Sequence, residues 1–202
     1  MSEAGKDPRA LIAAHLQAAA TTLQAASRDC LDDVLAAGEL LAATLKARHT
    51  VLLCGNGGSA ADAQHLAAEL MGRFMAERRP LPAVALTTDT SFLTAWSNDV
   101  GFESVFARQV EGLGRPGDLL VAISTSGDSA NIIAAVAQAH KQALAVIVLT
   151  GASGGRLADA AGPGDVIIKV PSSDTQHIQE GHLAVGHVLC ALAESAIANQ
   201  QA

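Results

Sequence analysis

The sequence predicts an α/β fold, a doubly wound, three-layer, five-stranded and mainly parallel sheet preceded by helices. Three observations predict it. Five short runs, "TVLLCG" at 50–55, "PAVALT" at 82–87, "DLLVAIST" at 118–125, "LAVIVLT" at 144–150 and "DVIIKV" at 165–170, are continuously apolar. A half-exposed sheet alternates apolar and polar positions, so unbroken apolar runs fit strands covered on both faces. Helical stretches separate these runs. Finally, the turns after the first and third runs are rich in glycine and serine, and they fall where open parallel sheets bind ligands, outside the carboxyl ends of the strands.

The elements follow in order. Ile12, Leu16, Ala19 and Leu23 share one helical face, and Leu31, Val34, Leu35, Leu41 and Leu45 mark a second helix before the first strand. Residues 1–49 therefore form an N-terminal helical segment, and 50–202 the sheet with its flanking helices, together a single domain. A long helix from about Gln176 to Gln200 closes the chain. Of 202 residues, 50% are hydrophobic and 16% charged, enough apolar content for one sizeable core. One Trp and four Phe are the only aromatic rings besides histidine, so helices must pack through Ala, Leu and Val. A net charge of −7 without a basic stripe lacks the footprint of a nucleic-acid binder. The Ala-rich N-terminus is interrupted by Asp7, Pro8, Arg9, His15 and Gln17, which argues against a signal peptide or membrane span and for the cytoplasm. Cys30, Cys54 and Cys190 are too few and too scattered for a disulfide framework, and are expected as buried thiols.

Two turns carry ligand-binding character. "GNGGSAAD" has glycines, Gly57 and Gly58 among them, that let backbone amides approach a ligand, with Ser59 placed to cap the next helix. "ISTSGDSAN" sets Ser124, Thr125, Ser126 and Ser129 at the mouth of a helix. Hydroxyls and N–H groups at a positive helix end can cradle a phosphate dianion without a lysine. Neither turn matches G-x-x-x-x-G-K-[ST] or a clean G-x-G-x-x-G, which weakens a nucleotide reading.

Past the first turn, His65 and Glu69 stand one helical turn apart, the spacing at which two side chains grip one metal or act on one substrate. Gln179, His182 and His187 form a second polar cluster in the final helix.

Together "CGNGGSAADAQHLAAELMGRF", "PAVALTTDTSFLTAWSND", "AISTSGDSANI" and "IQEGHLAVGH" resemble the sugar-isomerase (SIS) domain of the phosphoheptose isomerase family, from about Val51 to Glu194. The resemblance implies a flavodoxin-like fold and conversion of D-sedoheptulose 7-phosphate to D-glycero-D-manno-heptose 7-phosphate, the first step toward the ADP- or GDP-heptose used in lipopolysaccharide. It implies a homotetramer with active sites between subunits and one zinc per subunit. Position by position, Glu69 and His187 match the catalytic pair, and His65, Glu69, Gln179 and His187 the zinc ligands. Ser59, Ser124, Thr125, Ser126 and Ser129 match phosphate or sugar contacts. Asn56, Gly57, Gly58, Arg73, Asn98, Asp99 and Gln179 complete the implied sugar pocket. Gln176 departs from the aspartate that some members place against substrate hydroxyls.

Those residue types suit an aldose–ketose isomerase of the proton-transfer kind. A carboxylate carries a proton between C1 and C2 through a cis-enediolate, a histidine serves the oxygens, and zinc acts as a Lewis acid. A metal bound to Glu69 would lower its basicity, so Glu69 would have to dissociate or use its second oxygen. On a continuous helix Gln179 and His187 lie about 12 Å apart and roughly 80° off one face. Either they serve one site from different subunits, the favoured reading, or the helix is irregular near Gly181 or Gly186. A noncatalytic relative of the same fold binds the replication initiator DnaA; it lacks the matching pair that this chain has in Glu69 and His187.

The remaining candidates read as structural. Arg78 and Arg79 in "RFMAERRP" are expected in a solvated loop, His15, His49, His140 and His177 on the surface, and Trp96 as a packing anchor.

Overall fold

A computed structural model describes residues 7–198. Helix α1 (Pro8–Asp29) starts with Pro8 in its first turn and with Asp7 accepting a hydrogen bond from the Arg9 amide, the arrangement that satisfies a free helix N-terminus. Helix α2 (Leu31–Lys46) leads into β1 (Val51–Gly55), followed by α3 (Gly58–Met71), β2 (Ala83–Ala85) and α4 (Thr90–Asp99). A 3-10 turn precedes α5 (Val105–Leu113), and then come β3 (Leu119–Ile123), α6 (Ala130–Lys141), β4 (Ala145–Gly151), α7 (Gly155–Ala160), β5 (Val166–Val170) and α8 (Thr175–Ala198). The expected extension of the last helix to Gln200 lies outside the described residues.

All five strands are parallel, in the order β2-β1-β3-β4-β5, which is the doubly wound arrangement with its switch point between β1 and β3. Strand alternation divides the core into two layers. Val51, Leu53, Val121, Ile123, Ile147 and Leu149 face α2, α3 and α8. Leu52, Cys54, Leu120, Ala122, Val146 and Val148 face α5, α6 and α7. Continuous apolar runs follow directly, because each side of the sheet is roofed by helices.

Acidic side chains fix the amino-terminal edge of the sheet. Asp118 accepts from the Thr50 and Arg115 amides at 2.7 and 2.9 Å, and Asp165 from the Val146 and Gly162 amides at 3.0 and 2.7 Å. His49 approaches Asp118 at 3.6 Å and His140 bonds Asp165 at 2.7 Å, so neither is an idle surface histidine. The expectation for Arg78 is corrected too. Its side chain is 1% exposed and its guanidinium reaches Glu194 at 3.0 Å and the carbonyls of Glu69, Leu70 and Gly72. Arg79 donates to the Leu45 carbonyl. Glu194 also accepts from the amides of Phe74, Met75 and Ala76, so the "RFMAERRP" loop is tied to α8 at every residue from 74 to 76. An arginine is needed because only its planar fork can satisfy several carbonyls and a carboxylate at once.

Helix α8 is long and apolar enough to cross a membrane, but half of its most apolar window is buried inside the fold, where it packs on α2, α3 and the sheet. The three cysteines are buried and unpaired, as expected, and burial pushes the Cys54 and Cys190 thiols up to about 12. Trp96 stacks on Phe92 at 5.9 Å and donates to Ser104, an anchor of α4. The apolar face of α1 is not packed in this chain: Leu11, Ile12 and Leu16 are 63%, 59% and 63% exposed.

Removing one partner of the buried Arg78–Glu194 pair leaves the other uncompensated, so Glu194→Gln and Arg78→Met should each cost about 3–5 kcal/mol in urea unfolding at neutral pH. Burial alone would raise the Glu194 pKa, but the three amides and Arg78 outweigh it and hold it below the ordinary value. That stabilisation is present above the unfolded glutamate pKa and is lost as pH falls through the depressed folded value. Glu194→Gln should lose this acid-side dependence, and Arg78→Met, which keeps the three amides, should only weaken it.

Candidate active site

The carboxyl ends of β1 and β3 flank the switch point, and the two glycine- and serine-rich turns leave the sheet there. Gly57 caps α3 with φ of 56°, a left-handed conformation that glycine adopts without strain, and nothing lies within 4 Å of where a side chain would begin. Its backbone thus faces open space. Asn56 and Asn131 exchange reciprocal amide hydrogen bonds of 2.9 Å across the switch point, joining the first turn to the start of α6. Asn131 is a buried member of this site that was not singled out, although it stands in the quoted "ISTSGDSAN".

In the second turn the buried Ser124 hydroxyl lies 3.2 Å from that of Ser129 and accepts from the Gly127 amide. Gly127 (φ 72°) passes so close to the Gly154 carbonyl that no side chain fits. Ser126 accepts from the Asp128 amide, and Asp128 in turn is held by Arg156. Thr125 and Ser126, with Ser153, Ser172, Thr175 and Ile178, line a cleft of about 280 Å³ between the ends of β3 and β4 and the start of α8. Hydroxyls and the amino-terminal end of a long helix at a sheet edge favour an anion.

Along α3 the surroundings change from anion-binding to acid–base. Helices α3 and α8 run side by side in the same direction. A Cβ on Gly58 would stand 2.4 Å from the Gln179 amide nitrogen, and one on Gly186 would stand 2.6 Å from Leu66. This close approach brings His65 of α3 and His187 of α8 together, with Nε2 to Nε2 2.9 Å. Glu69 Oε1 lies 3.6 Å from His65 Nε2. Phe74 stacks on the His187 ring at 5.7 Å and forms an apolar wall on that side. Asp62, one turn before His65, has its Oδ2 buried without a hydrogen-bond partner among the described residues, and burial raises its pKa while His65 offsets part of the effect.

Not every expected residue converges. Helix α8 is continuous through Gly181 and Gly186, so the irregular-helix alternative for Gln179 fails: Gln179 packs at the amino end of α3 while His187 sits two turns further along. Gln176 is exposed at the start of α8. Ser59 is buried in the first turn of α3. Arg73 pairs with Glu77 at 2.9 Å in solvent, and Asn98 and Asp99 are exposed, bonded to each other on α4, which packs on α5. His177 is buried rather than superficial; together with His15 and Glu180 it forms a cluster of potential metal ligands, a His/Glu triad compatible with a metal ion.

A serine-lined cleft at the ends of β3 and β4, with two histidines and a glutamate two turns along the α3–α8 contact, is an arrangement suited to acid–base chemistry on a small anionic molecule. The SIS domain family profile matches residues 14–151. A phosphoheptose isomerase from Rhodospirillum rubrum is 54% identical over 84% of this chain and 88% of its own length. Solved phosphoheptose isomerases from Neisseria gonorrhoeae and Francisella tularensis superpose with TM-scores of 0.89 and 0.91 at 46% and 37% identity, each over 94% of this chain and all of theirs. The chain belongs to the SIS domain family, within its phosphoheptose isomerases, and is a phosphosugar isomerase.

His182, on the inner face of α8, has neither ring nitrogen hydrogen-bonded among the described residues, and burial lowers its pKa to about 4, weakly opposed by the nearby Thr150 backbone. Above pH 6.5 it is neutral folded and unfolded. As pH falls from 6.5 toward 4 the unfolded chain binds a proton that the folded chain does not, removing about 3 kcal/mol of stability in total. Urea unfolding across this range should show a dependence one proton shallower in His182→Phe, which loses no hydrogen bond.

Proposed function

We propose that this chain interconverts D-sedoheptulose 7-phosphate and D-glycero-D-manno-heptose 7-phosphate in the cytoplasm, the opening step of nucleotide-activated heptose synthesis. The observation that carries the reading is the approach of His65 and His187 to 2.9 Å beside Glu69, on a fold whose sheet end carries a serine-lined cleft. In this reading Ser59, Ser124, Thr125, Ser126 and Ser129, with the amides of Gly57 and Gly58, hold the phosphate, Asn56 serves the sugar hydroxyls, and Arg73, Asn98, Asp99 and Gln179, which lie apart from the histidine pair in this chain, would serve them from another subunit. Anchoring the remote phosphate fixes the reactive end of the sugar where Glu69 waits.

Glu69 takes a proton from C1 of the ketose. The electron pair forms the C1–C2 double bond of the cis-enediolate, and negative charge develops on O2. His187 moves the O1 proton to O2, and Glu69 returns its proton to C2, giving the aldose with no net loss of protons. Proton transfers of this kind require carboxylate and imidazole within hydrogen-bond reach of the carbons and oxygens concerned.

The donor set also suits zinc. His65 lies 2.9 Å from His187 and 3.6 Å from Glu69, but the ligand atoms of these three are not all gathered within 4.8 Å, so Glu69 and His187 would have to move together to close on an ion. His65, Glu69 and His187 would hold the ion, with Gln179 supplied by another subunit because its own lies two turns away at Gly58. When bound, zinc supplies Lewis-acid stabilisation of the charge developing on the C1 and C2 oxygens. A homotetramer meets that need and gives cover to the exposed leucines of α1 and to the apolar groove of about 390 Å³ lined by Leu23, Leu31, Val34, Val185 and Val188.

Incubation with sedoheptulose 7-phosphate, followed by NMR of the new anomeric proton, tests the reading. Turnover should fall with chelation and return with zinc, and Glu69→Gln should lower kcat by about 10²–10⁴ with the fold intact. No aldose from the zinc-loaded protein would overturn it.

A further inference from the structure

We propose that His15, His177 and Glu180 form a second divalent transition-metal site, separate from the one assigned to His65, Glu69 and His187, and that the ion staples α1 to α8. Three observations carry this. His177 Nδ1 lies 2.9 Å from Glu180 Oε2, and His15 Nε2 lies 3.3 Å from Glu180 Oε1, so both imidazoles address one carboxylate. One ligand atom from each of the three residues falls within 4.8 Å of the other two, a spread that small side-chain rotations close onto a single ion. The histidine rings, 4.7 Å apart and tilted by 44°, stand over each other rather than apart.

The site is built on rigid supports. His177 and Glu180 are three residues apart and share one face of the first turns of α8, with His177 only 7% exposed. His15 comes from the middle of α1, and both His15 and Glu180 are partly open to solvent, which leaves an entry path and room for a water as a fourth ligand. Two imidazoles and one carboxylate form a borderline-soft set that prefers zinc, cobalt or nickel to magnesium or calcium.

The ion would bear on α1. Among the described residues of that helix only Thr22 is buried, and Leu11, Ile12 and Leu16 are exposed in the single chain, so within one chain α1 has little packing of its own to fix its angle against the body. A metal joining its middle to the start of α8 sets that angle. Thr175 and Ile178 of the same first turns of α8 line the serine-rich cleft, so the same staple also steadies the end of α8 that faces it.

The test uses the full chain, stripped with chelator, reloaded with zinc, freed of excess by gel filtration and measured by mass spectrometry for metal per chain. The double variant His65→Gln/His187→Gln, which removes the other site, should retain one zinc, and adding His15→Gln should remove it. Cobalt in the double variant should give visible d–d absorption that disappears in the triple variant. Zinc should slow amide exchange in α1 of the double variant and leave α1 of the triple variant unaffected. His15 is partly exposed, so its replacement leaves the fold intact, as circular dichroism would verify. A double variant without zinc, or one whose zinc is indifferent to His15→Gln, overturns the proposal. Because isomerase activity enters no arm of the test, the outcome is independent of the catalytic assignment.

Discussion

The close packing of α8 on α3 is the contact on which the site depends. Helices pack with axes about 8–10 Å apart depending on the side chains at the contact, and small residues at the crossing points bring α3 and α8 together where His65 and His187 meet at 2.9 Å. Gly58 under Gln179 and Gly186 under Leu66 remove the obstruction at two levels, and Gly181 against Val170 and Gly38 against Leu192 do the same for the sheet and α2. Glycine inside a helix costs about 1 kcal/mol relative to alanine. Here that cost is offset by burial along both flanks of α8, which contributes Val185, Leu189, Ala193 and Ile197 to the larger core layer. Buried polar contacts then fix the far end: Glu194 of α8 gathers three loop amides and Arg78, which itself holds the last carbonyls of α3. The histidine pair sits between these two points, glycines on one side and the ion pair on the other.

Much of this layout was legible in the sequence because it is local. Five apolar runs mark five parallel strands to within two residues at each end, since roofing by helices leaves no polar face to confuse the pattern. The turns after β1 and β3 were legible for the same reason: the glycines and hydroxyls that shape them are contiguous in the chain. His65 and Glu69 lie one turn apart, and their pairing is a property of any helix.

What was not legible depends on long-range approach. Arg78 looked like a surface arginine because its partner Glu194 is 116 residues away. His15 and His177, read as surface residues, face each other only once α1 lies across the start of α8. His49 and His140 acquire roles from Asp118 and Asp165 at the opposite edge of the sheet from the site. Asn131 was visible as a residue but not as the partner of Asn56, since the link between two loops 75 residues apart exists only after β1 and β3 are paired. In each case the residue type was a fair clue and the partner was the missing information.

Helical geometry leaves Gln179 and His187 of one chain at different levels of the α3–α8 seam, so a site using both would have to be completed across a subunit boundary. Mixing two inactive proteins, Gln179→Ala and His187→Ala, dissociated and reassembled together, tests this most directly. If the site is shared between subunits, hybrid oligomers should recover about a quarter of the wild-type sites, because the intact Gln179 and the intact His187 can meet from different chains. Mixtures that remain inactive, although tetramers exchange subunits, would contradict the account and place both residues in a site formed by a single chain.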